Sequence, residues 1–168
     1  MSKLFFAILM AAPVVSASAD VAVNFVPVQN NAAPELAGFV TQDIRVLTTN
    51  DWSSSGMVLN LTAGSIYQAA GGADTPLASS VMQQFPALAF DTYVGVVDDN
   101  SSGVAGTAGD LGGSTAGWPY QFDTQGLDVT WFNMPGSFSD LDLGVTTIGR
   151  LSLSDDAQGM LAFSVSEK

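Results

Sequence analysis

Met57-Val58-Leu59-Asn60-Leu61-Thr62 puts Met57, Leu59 and Leu61 on one side of an extended chain and Val58, Asn60 and Thr62 on the other. Side chains alternate across a strand with a period of two, so this stretch reads as a strand with one face in a core. Leu151-Ser152-Leu153 repeats the pattern far along the chain. Similar short apolar runs, separated by Gly, Asn, Asp and Ser, predict strands at Val21–Val28, Phe39–Leu47, Met57–Thr62, Leu88–Val97, Leu127–Phe132, Val145–Ser152 and Met160–Val165. No long amphipathic helix interrupts them. The expected fold is all-β: a single antiparallel β-sandwich, jelly-roll or immunoglobulin-like, with one short helix.

That helix is expected after Pro76, over Leu77–Phe85, with Pro86 stopping it. Turn chemistry marks Asn50–Gly56 as the connection between the second and third strands. It also marks Ser154–Gly159 as the tip of a hairpin joining Arg150–Leu153 to Met160–Val165. The Gly- and Ser-rich segment Asp98–Pro119 reads as a long loop without a strand before Trp118.

The first nineteen residues have the three regions of a secretory leader: Lys3, the apolar run Leu4–Ala12, and small residues at Ala17-Ser18-Ala19. Pro13 breaks the apolar run well short of the ~20 residues that cross a bilayer. Residues 1–19 are therefore expected to be a signal peptide and 20–168 a single domain of 149 residues, large enough for a real core. The expected location is secreted, extracellular or cell-surface, with no stable membrane span after cleavage. Cys is absent, so no disulfide contributes to stability.

Beyond the leader, Arg45, Arg150 and Lys168 stand against sixteen carboxylates, a formal charge of −13. Such a surface repels nucleic acid and anionic lipid, so neither is expected as a partner. The chain has no His, and its only Lys after residue 19 is Lys168. A Ser nucleophile would lack its usual base, and zinc, copper or non-haem iron their usual ligands. Gly103–Gly113 is not followed by the Lys-Ser/Thr pair of a phosphate-binding loop. Carboxylate chemistry of the glycosidase kind needs only two acids across a cleft, but no spacing singles out a pair. The chain is expected not to be an enzyme.

Calcium suits the same acids better, because it takes hard oxygens from loops. Asp98-Asp99-Asn100-Ser101-Ser102-Gly103 resembles the opening of a calcium loop, although position twelve is Gly109 rather than Glu. Asp98, Asp99, Asn100, Asp155 and Asp156 are the candidate calcium ligands, with a solvated acidic turn as the alternative. Among the aromatics, Trp131 lies in an apolar strand and is expected in the core. Trp118 and Tyr120, at the end of the Gly-rich loop, are the candidate platform for a sugar ring.

Asp51-Trp52 leading into Met57–Thr62, then Ala63-Gly64-Ser65-Ile66-Tyr67-Gln68, Phe85-Pro86-Ala87-Leu88-Ala89-Phe90-Asp91-Thr92-Tyr93-Val94, and Leu151–Gly159 together resemble a set of uncharacterised exported bacterial β-rich proteins. Members often end in a PEP-CTERM type sorting tail, which does not precede Lys168 here. The resemblance spans roughly Val40 to Val165 and implies export, with no activity and no functional residues.

The expected function is that of a secreted, non-catalytic structural or interaction protein of the cell surface or exterior. The alternative is a carbohydrate-binding module, with or without calcium, and the third is a carboxylate glycosidase. Polysaccharide is the expected partner class. So is a second copy, because the run Val21–Val28 can add to a neighbour's sheet edge, with pairing to its own sheet as the favoured alternative.

Overall fold

The structure, a computed structural model, describes residues 22–29, 34–48, 52–96, 102–104, 120–133 and 144–167. Residues 1–19, the expected leader, and Asp98–Asn100 and Trp118 lie outside them. The described chain forms two antiparallel sheets packed face to face, the expected all-β sandwich, with one short α-helix.

Sheet A runs in the order β1 (Ala22–Val28), β2 (Phe39–Thr48), β8 (Gly144–Ser154), β4 (Tyr93–Val94). Sheet B runs β5 (Ser102–Val104), β7 (Gly126–Asn133), β3 (Trp52–Ala63), β9 (Gln158–Glu167), with β6 (Gln121–Phe122) also on β7. The core between them is built by the alternation legible in the sequence: Met57 and Leu59 from β3, Leu127, Val129 and Trp131 from β7, Leu161 from β9, and Ile44, Val46, Ile148 and Leu151 from sheet A. Trp131 is fully buried, as its apolar strand predicts, and its indole N–H has no hydrogen-bond partner among the described residues. A bulge opposite Ile44 and Arg45 leaves Ile148 as an extra residue in β8, and it too is fully buried. Phe25 of β1 meets Phe163 of β9 edge to face at 6.3 Å, tying the two sheets along one flank.

Four expectations are corrected. Leu88–Val97 is not one strand: Pro86–Phe90 is a 3-10 helix and, among the described residues of that run, only Tyr93–Val94 forms a strand, because Pro86 at the first helical turn pre-sets helical φ. Residues Trp52–Gly56, read as a turn, already belong to β3, where Ser55 pairs with both Trp131 and Val165. The Gly-rich loop contains β5 before Trp118, since Ser102–Val104 pairs with β7. Finally, Ser154–Gly159 is not the tip of a hairpin, for β8 and β9 lie in different sheets and the turn arches between them.

The arch is held by its own polar groups. Ser154 N–H donates to Ser65 O at 2.9 Å and Asp155 N–H to Gly38 O at 2.7 Å, while Ser154 Oγ accepts from Ser65 N–H at 2.8 Å. Gly64 is what allows this approach: its φ is +77°, and a Cβ there would stand 2.5 Å from Ala157 Cα.

The predicted short helix exists as α1 (Ser79–Gln84), on the long connection Gly64–Thr92 that leads from sheet B back to sheet A. In that connection Ile66 bridges to Leu153 and Tyr67 N–H donates to Ser152 O at 2.9 Å, so it zips to the same edge of β8 that β4 uses. The remainder folds across the outer face of sheet A.

Candidate site on the outer face of sheet A

Register dictates which side chains share that outer face. Thr41 pairs with Ser152, Asp43 with Arg150, and Arg150 with Tyr93, so all five point away from the sandwich core. In an ordinary sandwich these polar groups would face water. Here Thr41, Asp43, Ser152 and Tyr93 are buried, because the 3-10 helices Pro34–Leu36 and Pro86–Phe90 and the segment around Tyr67 cover them. A second small apolar cluster, Leu36 and Phe90 with Val28, Phe39, Tyr67 and Ala89 against them, seals the layer.

Buried polar groups must find partners, and the arrangement of these follows from that need. Arg150 donates from Nε (2.8 Å) and Nη2 (2.7 Å) to Asp43 Oδ1. Its Nη1 donates to Ala89 O, and Arg45 Nη2 donates to Asp43 Oδ2 at 3.2 Å. Ser152 Oγ donates to Phe90 O at 2.6 Å, so its single proton is spent and Thr41, 2.8 Å away, is the donor to Ser152. The last carbonyls of the 3-10 helix, which have no partner within it, are thus met by Arg150 and Ser152 from the sheet. Thr92 Oγ1 accepts from Ser152 N–H at 3.1 Å, a side chain standing in for a ladder bond.

Asp91 anchors the cover from the other end. Its Oδ1 accepts from Ala69 N–H (2.7 Å) and Thr92 N–H (3.0 Å), and Gly72 packs so closely that any Cβ would overlap Oδ2. Burial raises the Asp91 carboxyl above the ordinary carboxylate value, against the lowering effect of its backbone donors. Burial likewise raises the Tyr93 phenol; Arg150, whose guanidinium lies 5.7 Å over the ring, pulls the other way.

Where the cover ends, an open cleft of about 420 Å³ remains. One wall is Ser79, Met82 and Gln83 of α1; the other is Pro86, Ala89 and Phe90, with Tyr93 and Arg150 between them. The lining is mainly apolar, with Arg150 and the Gln83 amide as polar groups. Three of the five guanidinium N–H groups of Arg150 are engaged with Asp43 and Ala89, which leaves two for a ligand oxygen.

The residues singled out from sequence fall elsewhere. Tyr120 is half-buried, packs against the main core and donates its hydroxyl to the Asp74 carboxylate. Asp155 and Asp156 are exposed in the arch, and Asp156 Oδ1 accepts from Ser154 Oγ at 2.7 Å. Trp118 and Asp98–Asn100 lie outside the described residues, as noted. Among the described residues, no three His, Cys, Asp or Glu side chains converge as a metal site.

Sequence reasoning missed Asp43, Arg150 and Tyr93. Asp43 and Arg150 are 107 residues apart, and no local pattern joins them. The available signal was that Asp43, Arg45 and Arg150, the last two being the only arginines, all sit inside strands that otherwise read as apolar or neutral. Charged residues in such places are buried only when paired.

Comparison of the chain with family models, with curated proteins and with solved structures returns no match. Among the described residues no helix is long and apolar enough to cross a membrane.

Proposed function

We propose that the protein is a secreted, non-catalytic interaction protein of the cell exterior, as its leader and composition suggest, and one of the exported bacterial proteins that its sequence resembles. The observation that carries the non-catalytic part is the use to which the carboxylates beside the cleft are put. Asp43 is occupied by Arg150 and Arg45, and Asp91 by the backbone N–H groups of Ala69, Thr92 and Ala73, so both serve as anchors of the cover rather than as an acid and base flanking a bond. The decisive experiment incubates the protein with insoluble envelope and extracellular polysaccharide and measures both its retention and the release of reducing sugar. Retention without release is expected. Release would make the protein a glycosidase, and neither retention nor release would remove the interaction reading.

The cleft favours a second reading, a carbohydrate-binding module. Its volume suits one sugar ring, Met82 and Pro86 offer apolar surface, and Gln83 and the Arg150 N–H groups not engaged by Asp43 and Ala89 offer hydroxyl recognition. A glycan array run with wild type and with Gln83→Ala separates the sites: loss of binding in the variant assigns the cleft, while unchanged binding returns attention to Trp118 and Tyr120. Calcium at Asp98–Asn100 or Asp155–Asp156 belongs to the same proposal, and a melting temperature unchanged between millimolar calcium and chelator would remove it.

A further inference from the structure

Edge strands expose unpaired backbone donors and acceptors, and natural proteins guard them with Lys, Pro, bulges or shortness. The two outer edges on the flank marked by Phe25 and Phe163 differ in this respect. The β1 edge is seven residues long and contains Pro27, which cannot donate. The β9 edge is ten residues long and, from Gln158 to Val165, has no charge and no proline. On its outward face Met160 is 76% exposed, followed by the exposed Ala162 and Ser164.

We propose that β9 is a self-association edge, at which a second copy of this chain adds antiparallel about a two-fold axis near Ala162, joining two B sheets into one. Two considerations select a second copy. An antiparallel edge is its own complement under a two-fold axis, so each donor meets an acceptor of the same strand in the partner. The chain carries a formal charge of −12, and copies repel over most of their surface; the neutral run of β9 is a strip along which they meet without opposed carboxylates. Its charged ends bring Asp155 and Asp156 of one copy toward Glu167 and Lys168 of the other, so charges of both signs meet there. This interface is separate from the cleft and does not depend on what the cleft binds.

The net negative charge of each copy gives the association a sign: it tightens as salt screens the repulsion between them. The test is sedimentation velocity on protein expressed from the full-length sequence, over a range of concentrations and at low and high sodium chloride. Concentration-dependent dimerisation, stronger in high salt, is expected. Ala162→Glu sets two carboxylates against each other at the axis and is expected to weaken association about tenfold or more. Thr130→Glu puts the same charge on β7 of the same sheet, away from the edge, and is expected to leave dimerisation intact. Hydrogen exchange on the unmodified protein, slowing in the β9 amides as concentration rises, gives a readout that needs no variant. A protein that stays monomeric in every condition overturns the proposal. So does a dimer that survives Ala162→Glu, or one lost equally in Thr130→Glu, since the latter marks contact through the sheet face.

Discussion

Both N–H donors that Arg150 directs at Asp43 converge on one oxygen, Oδ1, while Oδ2 receives Arg45, so a single carboxylate is the shared ion-pair partner of both arginines of the chain. Asp43→Asn is expected to cost about 2–4 kcal/mol in denaturant unfolding, because it leaves Arg150 largely buried without a counter-charge. Replacing the pair together, as Asp43→Leu with Arg150→Met, is expected to cost less than the sum of the single changes. Additive losses would show that the two residues act separately.

Two aspartates should respond to pH in opposite directions. Asp91 has a folded-state pKa raised by burial, so the folded protein binds more protons than the unfolded chain above the ordinary value of 3.8. Its contribution is fully present below that value and is lost as pH rises through the folded pKa. Asp123, exposed, is lowered by donors from Gln125, Gln121 and Gly126; its contribution is present above the ordinary value and is lost as pH falls through the folded pKa. Urea midpoints followed through the acid range for wild type, Asp91→Asn and Asp123→Asn check this. Asp91→Asn keeps an acceptor for Ala69 and Thr92, and should gain most relative to wild type at the upper end of the range.

Gly64→Ala is expected to lower stability by more than about 1–2 kcal/mol, since a left-handed residue acquires a Cβ and that atom collides with the arch at Ala157. Gly38→Ala also has a positive φ, of +85°, but has nothing within 4 Å, so it isolates the backbone part of the cost. Melting temperatures of the two variants should therefore differ, with Gly64→Ala the lower.

Trp131 fills the centre of the core with an indole N–H that has no partner among the described residues. Trp131→Ala is expected to cost about 3–5 kcal/mol through the cavity it leaves. Trp131→Phe removes the unsatisfied donor along with part of the ring, and the two effects oppose each other, so a loss well under half of that is expected. Equal losses in thermal denaturation would mean that the N–H does have a partner.

Strands that bury one face were legible because period-two patterning is a local property: β2, β7, β8 and β9 lie within two residues of their expected bounds. Leu88–Val97 misled because an apolar run of that length carries no period to separate a strand from a short helix, and Pro86 decided for the helix. Ser154–Gly159 announced a tight turn correctly, but turn residues do not say whether the next strand returns to the same sheet. The site was hidden for a related reason. Thr41, Asp43, Arg150 and Ser152 look like the wet side of a sandwich until the connection bearing Phe90 and Asp91 is folded over them, and that contact spans 60 residues or more from Phe90 and Thr92 to Ser152.

The arch between β8 and β9 bears on how the chain reaches its native state. Neighbouring strands that go to opposite sheets cannot zip together first, so each waits for a partner more than ninety residues upstream: Thr41 for Ser152, and Thr62 for Gln158. Sheet A lacks the strand that joins β2 to β4 until residues 144–154 are available. Loop-closure entropy makes such pairings slow, on the scale of about milliseconds to seconds. A polypeptide emerging from a ribosome would therefore carry most of its length before its architecture could close.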